Sequence, residues 1–308
     1  MSSMPHVPLG EFADSAVDWV RLNLPGLLDG ISDTFNSLSE GLTDVLMMLP
    51  SLVMVVLFAL LAAWVRSVKF AVFVLLSMAL IVSMELWEPA MQTLAMVIVA
   101  TIVAIIIAIP VGILAARNDT VSAVVRPVLD FMQTMPALVY LVPVVIFFSI
   151  GFAPGVVATI VFAMAPGVRL TELGIRQVDS ETVEAGHAFG GTSSQILRGI
   201  QLPLGLPTIM AGVNQVIMLG LSMAVMAGFV GAPGLGKIVT SALATVDVAL
   251  GFEAGLAIVF LAIFLDRLTG AIGQPTEGSL SAAWRRRQTA KAELAAAKSY
   301  RPAPGAGV

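Results

Sequence analysis

Charge is what this sequence has least of. Only 12% of its 308 residues are Asp, Glu, Lys or Arg, against 58% hydrophobic, and the mean hydropathy is +0.96. A soluble domain carries about 25% charged residues, and half that share cannot cover a water-facing surface. A soluble globular protein is excluded and a bilayer is required. Cysteine is absent, which removes disulfides, Cys-based zinc sites and iron–sulfur clusters. The two histidines, His6 and His187, stand too far apart in sequence to suggest a metal pair. A formal net charge of −4 speaks against nucleic acid as a partner, because phosphate binding needs a basic patch.

What is present is a series of uncharged apolar runs. A helix needs roughly 20 mostly apolar residues to cross a bilayer. Seven candidate spans emerge, at 46–65, 68–84, 92–116, 136–153, 155–168, 206–230 and 250–265, the fifth being short. The expected fold class is an all-α membrane protein with seven transmembrane helices. No cleavable leader is expected, since Glu11, Asp14 and Asp18 precede any apolar run.

Lys and Arg are enriched in cytoplasmic loops, so their positions give orientation. Seven spans put Arg66, Lys69, Arg117, Arg126, Arg169, Arg176, Arg198, Arg267 and the basic residues from Arg285 to Arg301 on one side, fourteen of sixteen in all. The other side keeps Arg21 and Lys237, with seven acidic residues before position 45 and Glu85 and Glu88 beside Trp87. The N-terminus is expected outside and the C-terminus inside.

Four regions follow: an acidic extracytoplasmic stretch 1–45, two accessory spans 46–90, a five-helix core 91–270, and a basic, Ala-rich cytoplasmic tail 271–308 that is expected to be partly disordered. In the first, Leu24, Leu28, Ile31, Phe35, Leu38, Leu42 and Val45 recur in steps of four and three, an amphipathic helix of nearly heptad period. It either packs on an interface or partner or merely shields the first span. Pro110 and Pro143 are expected to kink the third and fourth spans, and Gly151 and Gly155 read as turn residues.

The longest cytoplasmic connection, 169–205, is the most informative. Asp179 or Ser180 can cap a short helix with Glu181 and Glu184 in its first turn, stopping at Gly190 and Gly191. Thr192 with Gln195 forms a capping-box pattern for a second helix, which Pro203 is expected to end. Small residues Ala185, Gly186 and Ala188 let another backbone approach closely.

This loop carries a resemblance. Glu184-Ala185-Gly186, three residues, Gly190, nine residues, then Ile200-Gln201-Leu202-Pro203 resembles the signature loop of permease subunits of ATP-binding-cassette importers, departing only where Gly186 replaces the second Ala. Glycine keeps the small size but weakens a helix by up to about 1 kcal/mol relative to alanine. Residues 129–136 (LDFMQTMP), 169–178 (RLTELGIRQV), 201–215 (QLPLGLPTIMAGVNQ) and 251–259 (GFEAGLAIV) are similar to the permeases for glycine betaine, proline and choline. The likeness covers 46–270.

The resemblance implies a type I ABC importer permease fold, a homodimer in the bacterial cytoplasmic membrane, two cytoplasmic ATPase subunits and an external binding protein on a separate chain. The helix around Glu184 would sit in a groove of the ATPase, so Glu184, Ala185, Gly186, Gly190, Ile200, Leu202 and Pro203 are the coupling candidates. The solute would be a quaternary amine such as glycine betaine, proline betaine, choline or carnitine; another solute, such as an amino acid or alkyl sulfonate, is the alternative. An ion-driven carrier is the least favoured, for it predicts ionisable residues within the membrane or inverted repeats.

Gly231 to Lys237 begins like a phosphate-cradling loop, but Ile238 stands where Ser or Thr would bind magnesium, and the loop is expected outside the cell. The chain is therefore expected to hydrolyse nothing and to bind no cofactor, ATP and magnesium residing on the partner. Polar residues at membrane depth are functional candidates: Gln133 and Thr134 before the fourth span, and Asn214, Gln215 and Ser222 in the sixth, line a path or bond helix to helix. His187 is a surface residue or a pH sensor.

Overall fold

The computed structural model describes residues 8–273, and every regular element in that range is helical. The basic tail from 274 onward therefore lies outside the described residues.

α1 (Leu9–Asn23) leads through Leu24 into α2 (Pro25–Met47), whose first position is a proline, the residue pre-set for a helix start. Pro50 then separates α2 from α3 (Ser51–Val65), and the two helices meet at 97°. The apolar run expected as one helix over 46–65 is thus broken: residues preceding a proline are driven from helical to extended backbone, and the chain turns there. Ser67, whose hydroxyl accepts from Phe70 N at 3.2 Å, caps α4 (Val68–Ser83), close to the expected 68–84.

α2 carries its buried side on Ser39, Thr43 and Leu46, with Phe35 and Leu42 against the core; Leu38 and Val45 are exposed. The heptad reading assigned the last two inward. A straight helix of 3.6 residues per turn drifts about 20° per heptad, so the seam rotates off them over three turns. The helix packs along α5, α7 and α8 rather than merely covering the first span.

α5 (Trp87–Arg117) is about 46 Å long at 1.5 Å per residue and contains Pro110. α6 (Asp119–Thr134) and α7 (Ala137–Phe148) form a second bent pair, again at 97° and again at a proline, Pro136. α8 (Phe152–Arg176) starts three residues earlier and ends eight later than the expected 155–168, so Arg169 to Arg176 belong to a helix and not to the loop. After the loop come α11 (Leu202–Ala227), α12 (Leu235–Thr245) and α13 (Val248–Gly273). By length and hydropathy four helical runs suffice to cross a membrane, and six do if each bent pair counts as one.

The core is a layer of three helices, with α8 between α5 and α11. Lipid tails are as apolar as leucine, so helices associate in a bilayer through close packing of small residues. Gly155 faces Met96 and Ala227, Gly167 lies between Ala108 and Val216, and an added Cβ on Gly212 would fall 2.9 Å from Leu170 Cβ. Gly155 is accordingly a packing residue inside α8, whereas Gly151, at φ +151, is the turn residue. α3, α4 and α13 close one side of this layer through Phe58 on Phe264 (5.3 Å between ring centres) and Phe73 on Phe260 (6.2 Å).

The chain reversals fall into two groups. At one end Asn36 reaches the α7–α8 turn, Gly231 lies against Ile150, and Leu235 N–H donates to Thr93 Oγ1 at 2.8 Å. At the other, Arg66 bonds the carbonyl of Arg267, Arg176 bonds Asp119, and Gln177 bonds Thr208.

Candidate functional site: an exposed helix above a buried charge cluster

The second end bears the loop that the sequence singled out. α9 (Ser180–Ala188) is capped by Asp179, whose carboxylate accepts from Glu181 N at 3.0 Å. No residue of α9 is buried; Glu184, Ala185 and His187 are exposed. It stops as expected: Gly190 takes φ +80, and Gly191 N–H closes on the carbonyl of Gly186 at 3.1 Å. Phe189, just past the helix, is 93% exposed. Sequence reasoning passed over Phe189; its signal was an aromatic beside two glycines on an otherwise polar loop.

α10 (Ser193–Ile196) begins with the capping box complete: Gln195 N–H donates to Thr192 Oγ1 at 3.4 Å, and Thr192 N–H donates to Gln195 Oε1 at 2.8 Å. Pro203 does not end this helix. Leu197–Gln201 forms a π turn in which Leu202 N–H reaches the carbonyl of Leu197, five residues back, and the run continues unbroken to Val230. The widened turn has already moved the hydrogen-bond ladder on before it meets the proline, which takes the first turn of α11, where its missing N–H is tolerated.

The signature residues divide between two surfaces. Glu184, Ala185, Gly190 and Pro203 are exposed, while Gly186, Ile200 and Leu202 are half-buried. Gly186 meets Ile196 and Ile200, and an added Cβ there would fall 2.8 Å from Ile200 Cδ1. Gly186 thus brings α9 closer to the following helix than alanine could without moving the end of that isoleucine.

Just before α9 in the chain, the last turns of α8 share with α6 a cluster that the sequence did not disclose, because a span ending at 168 leaves Glu172 in a loop. Glu172 is 5% exposed. Its Oε1 accepts from Ser122 Oγ at 2.8 Å and Arg126 Nη2 at 2.8 Å, and lies 3.0 Å from Arg176 Nε, one turn along its own helix. Arg176 Nη2 also reaches Asp119 at 2.7 Å and the carbonyl of Ala115 at 2.8 Å, and Arg169 pairs with Asp130. A buried carboxylate without such partners is strongly disfavoured.

The five membrane-depth candidates do not converge. Gln133 and Thr134 are exposed on the last turn of α6. Asn214 is used between helices: its Nδ2 donates to Asp266 Oδ1 at 2.8 Å, and its Oδ1 accepts from Thr269 at 3.2 Å. Because α13 runs to Gly273, Asp266 lies well inside a helix rather than at its end. Gln215 is exposed; Ser222 lines a 480 Å³ groove between α11 and α13 with Met218, Met226, Ile258 and Asp266. Among the described residues no three His, Asp or Glu side chains gather to hold a metal ion.

Residues 108–276, more than half the chain, match the family described as "Binding-protein-dependent transport system inner membrane component". The chain belongs to this family. It is a multi-pass inner-membrane permease of an ABC transport system, a class that works with an ATPase and a solute-binding protein. Similar proteins include the glycine betaine transport system permease protein OpuAB of Bacillus subtilis, 46% identical over 87% of this chain and 95% of that one. The glycine betaine/proline betaine transport system permease protein ProW of Escherichia coli is 41% identical over 90% of this chain and 78% of its own. The glycine betaine/carnitine transport permease protein GbuB of Listeria monocytogenes is 42% identical over 89% and 98%. Among solved structures, the MetNI methionine ABC transporter in an inward-facing conformation aligns with a TM-score of 0.55 at 24% identity, over 59% of this permease and 91% of that chain, a likeness of fold.

Proposed function

We propose that this permease imports a quaternary ammonium compatible solute, glycine betaine first among glycine betaine, proline betaine, choline and carnitine. The carrying observation is likeness over most of the chain to three permeases whose names all include glycine betaine. On this reading the chain is a homodimer with two ATPase copies inside and one binding protein outside, and it contributes no catalysis. Seven spans are formed by α3, α4, α5, α7, α8, α11 and α13, with the N-terminus outside; the gathering of Arg66, Arg117, Arg126, Arg169, Arg176 and Arg267 at one end supports that orientation. The path passes Gln133, Thr134, Gln215 and Ser222, while Asn214 serves as a strut between helices.

α9 is the lever that enters the ATPase, an assignment supported by an exposed helix with Glu184 and Phe189 at its surface. ATP binding biases a two-state dimer through it.

Reconstituted in liposomes with its cognate ATPase and binding protein, the permease is expected to accumulate radiolabelled glycine betaine in an ATP-dependent manner. Uptake of an amino acid or alkyl sulfonate with no quaternary amine uptake would refute the substrate assignment. In the same assay Glu184→Lys is expected to abolish uptake, and normal uptake by that variant would refute the lever.

A further inference from the structure

α6 and α8 run antiparallel at the inner end, and their facing charges alternate. Along α6 stand Asp119, Arg126 and Asp130; opposite them along α8 stand Arg176, Glu172 and Arg169, so each charge meets its opposite. In the central rung the Glu172 side chain is shielded, 6% exposed, while Arg126 is 60% exposed, and Ser122 adds a neutral hydrogen bond to the same carboxylate oxygen. The outer rungs are open to solvent, Asp119 at 92% and Asp130 at 64%. A small apolar cluster of Leu129 and Met132 on Ala108, Ala165 and Val168 also attaches α6 to α5 and α8.

Two further features give this zipper a mechanical sense. Its α8 side ends at Arg176, four residues before α9 begins at Ser180, and α9 packs on Ile196 and Ile200 of the run that leads into α11, so displacement of α9 reaches this end of α8 through the chain as well as α11 through packing. At the far end of α6 the 97° elbow is braced by Tyr140, whose hydroxyl donates to the carbonyl of Met132 across the bend. The bent pair α6–α7 is therefore one L-shaped piece, and it carries Gln133 and Thr134 at its corner.

We infer that Glu172 is a positioning residue for coupled transport: with Ser122, Arg126 and Arg176 it fastens α6 to the inner end of α8, so that α6–α7 moves with α9 as one body. The inference rests on the lever assignment above. An exposed ion pair alone is too weak and too easily screened to carry such a displacement; across the two helices the shielded Glu172 carboxylate holds both Arg126 and Ser122 through one oxygen, and Arg176 on its own helix orients that carboxylate and reaches Asp119. The two helices stay joined throughout the cycle, and the outer rungs fix their register.

The test uses the full complex of permease, ATPase and binding protein in liposomes, reading solute moved per ATP hydrolysed. Glu172→Gln keeps the shape and a hydrogen-bond acceptor for Ser122 but removes the charge; the ratio is expected to fall at least about tenfold while ATP hydrolysis continues. Bridging Asp130→Cys and Arg169→Cys with a short bis-maleimide, in a chain that has no other cysteine, should restore most of the ratio in the Glu172→Gln background. An unchanged ratio for Glu172→Gln, or loss of uptake when the bridge is made in the otherwise unaltered protein, overturns the inference. Should Glu172→Gln not assemble, its partner decides: Arg126→Gln is expected to lower the ratio while ATP hydrolysis continues and Arg126→Lys to recover part of it, and an unchanged ratio for Arg126→Gln is equally fatal. Normal uptake by Glu184→Lys would instead remove the lever assignment, so the two failures are distinguishable.

Discussion

Asn36 belongs to α2, yet its side-chain oxygen accepts from Ala153 N–H, in the first turn of α8, at 2.9 Å. The first four N–H groups of a helix have no partner inside it, and α8 starts after Gly151, which has no side chain to cap them. The amide of a residue 117 positions away fills that role. Losing a helix cap costs about 1 kcal/mol. Asn36→Ala is therefore expected to lower the thermal midpoint of the detergent-solubilised permease by a few degrees, while Asn36→Asp, an acceptor placed favourably for the helix dipole, should hold it. An unchanged midpoint for Asn36→Ala would mean that water caps α8 equally well. Nothing in the local sequence around either residue points to this bond, since a cap supplied from another helix leaves no spacing to read. Gly155 reads as a turn residue from sequence for a related reason: three residues of error in the helix start turn a packing surface into a turn.

At the scale of elements, legibility followed from how local the determining chemistry is. α9 and the start of α10 were readable almost residue by residue, because Asp179, Gly190, Thr192 and Gln195 act on backbone groups within four positions. α4 was equally plain, being a charge-poor apolar run opened by its N-cap Ser67. α6 went unseen: Asp119, Arg126, Asp130 and Pro127 exclude it from any search for uncharged runs, and its charges are satisfied by α8, which no sequence window contains. α12 was hidden behind the glycines that precede it. Pro203 shows the opposite error, a strong local rule overruled. A proline ends a helix only if the ladder reaches it in α register, and the π turn at Leu197–Gln201 changes the register first. Proline was decisive at Pro50 and Pro136, where both helices bend by 97°.

For the whole molecule, the scarcity of charge becomes a statement about sides. The arginines of the described residues that follow α2 all cluster at the end where α9 projects, and the opposite end holds the α4–α5 turn with Glu85 and Glu88. The hairpin of α3 and α4 is short for a bilayer, about 23 Å per helix against a hydrocarbon core of about 30 Å. Arg66 and Lys69 at its turn are long enough to reach the head groups by snorkelling, which relieves part of that mismatch. Orientation can then be measured with introduced thiols, since the chain has no cysteine of its own. Thr120 is exposed at the arginine-rich end and Val246, 80% exposed, lies between α12 and α13 at the other. In intact spheroplasts a membrane-impermeant maleimide is expected to label Val246→Cys at once and Thr120→Cys only after the membrane is opened. The reverse pattern would put α9 outside the cell, out of reach of any cytoplasmic ATPase, and would overturn both the orientation and the lever together.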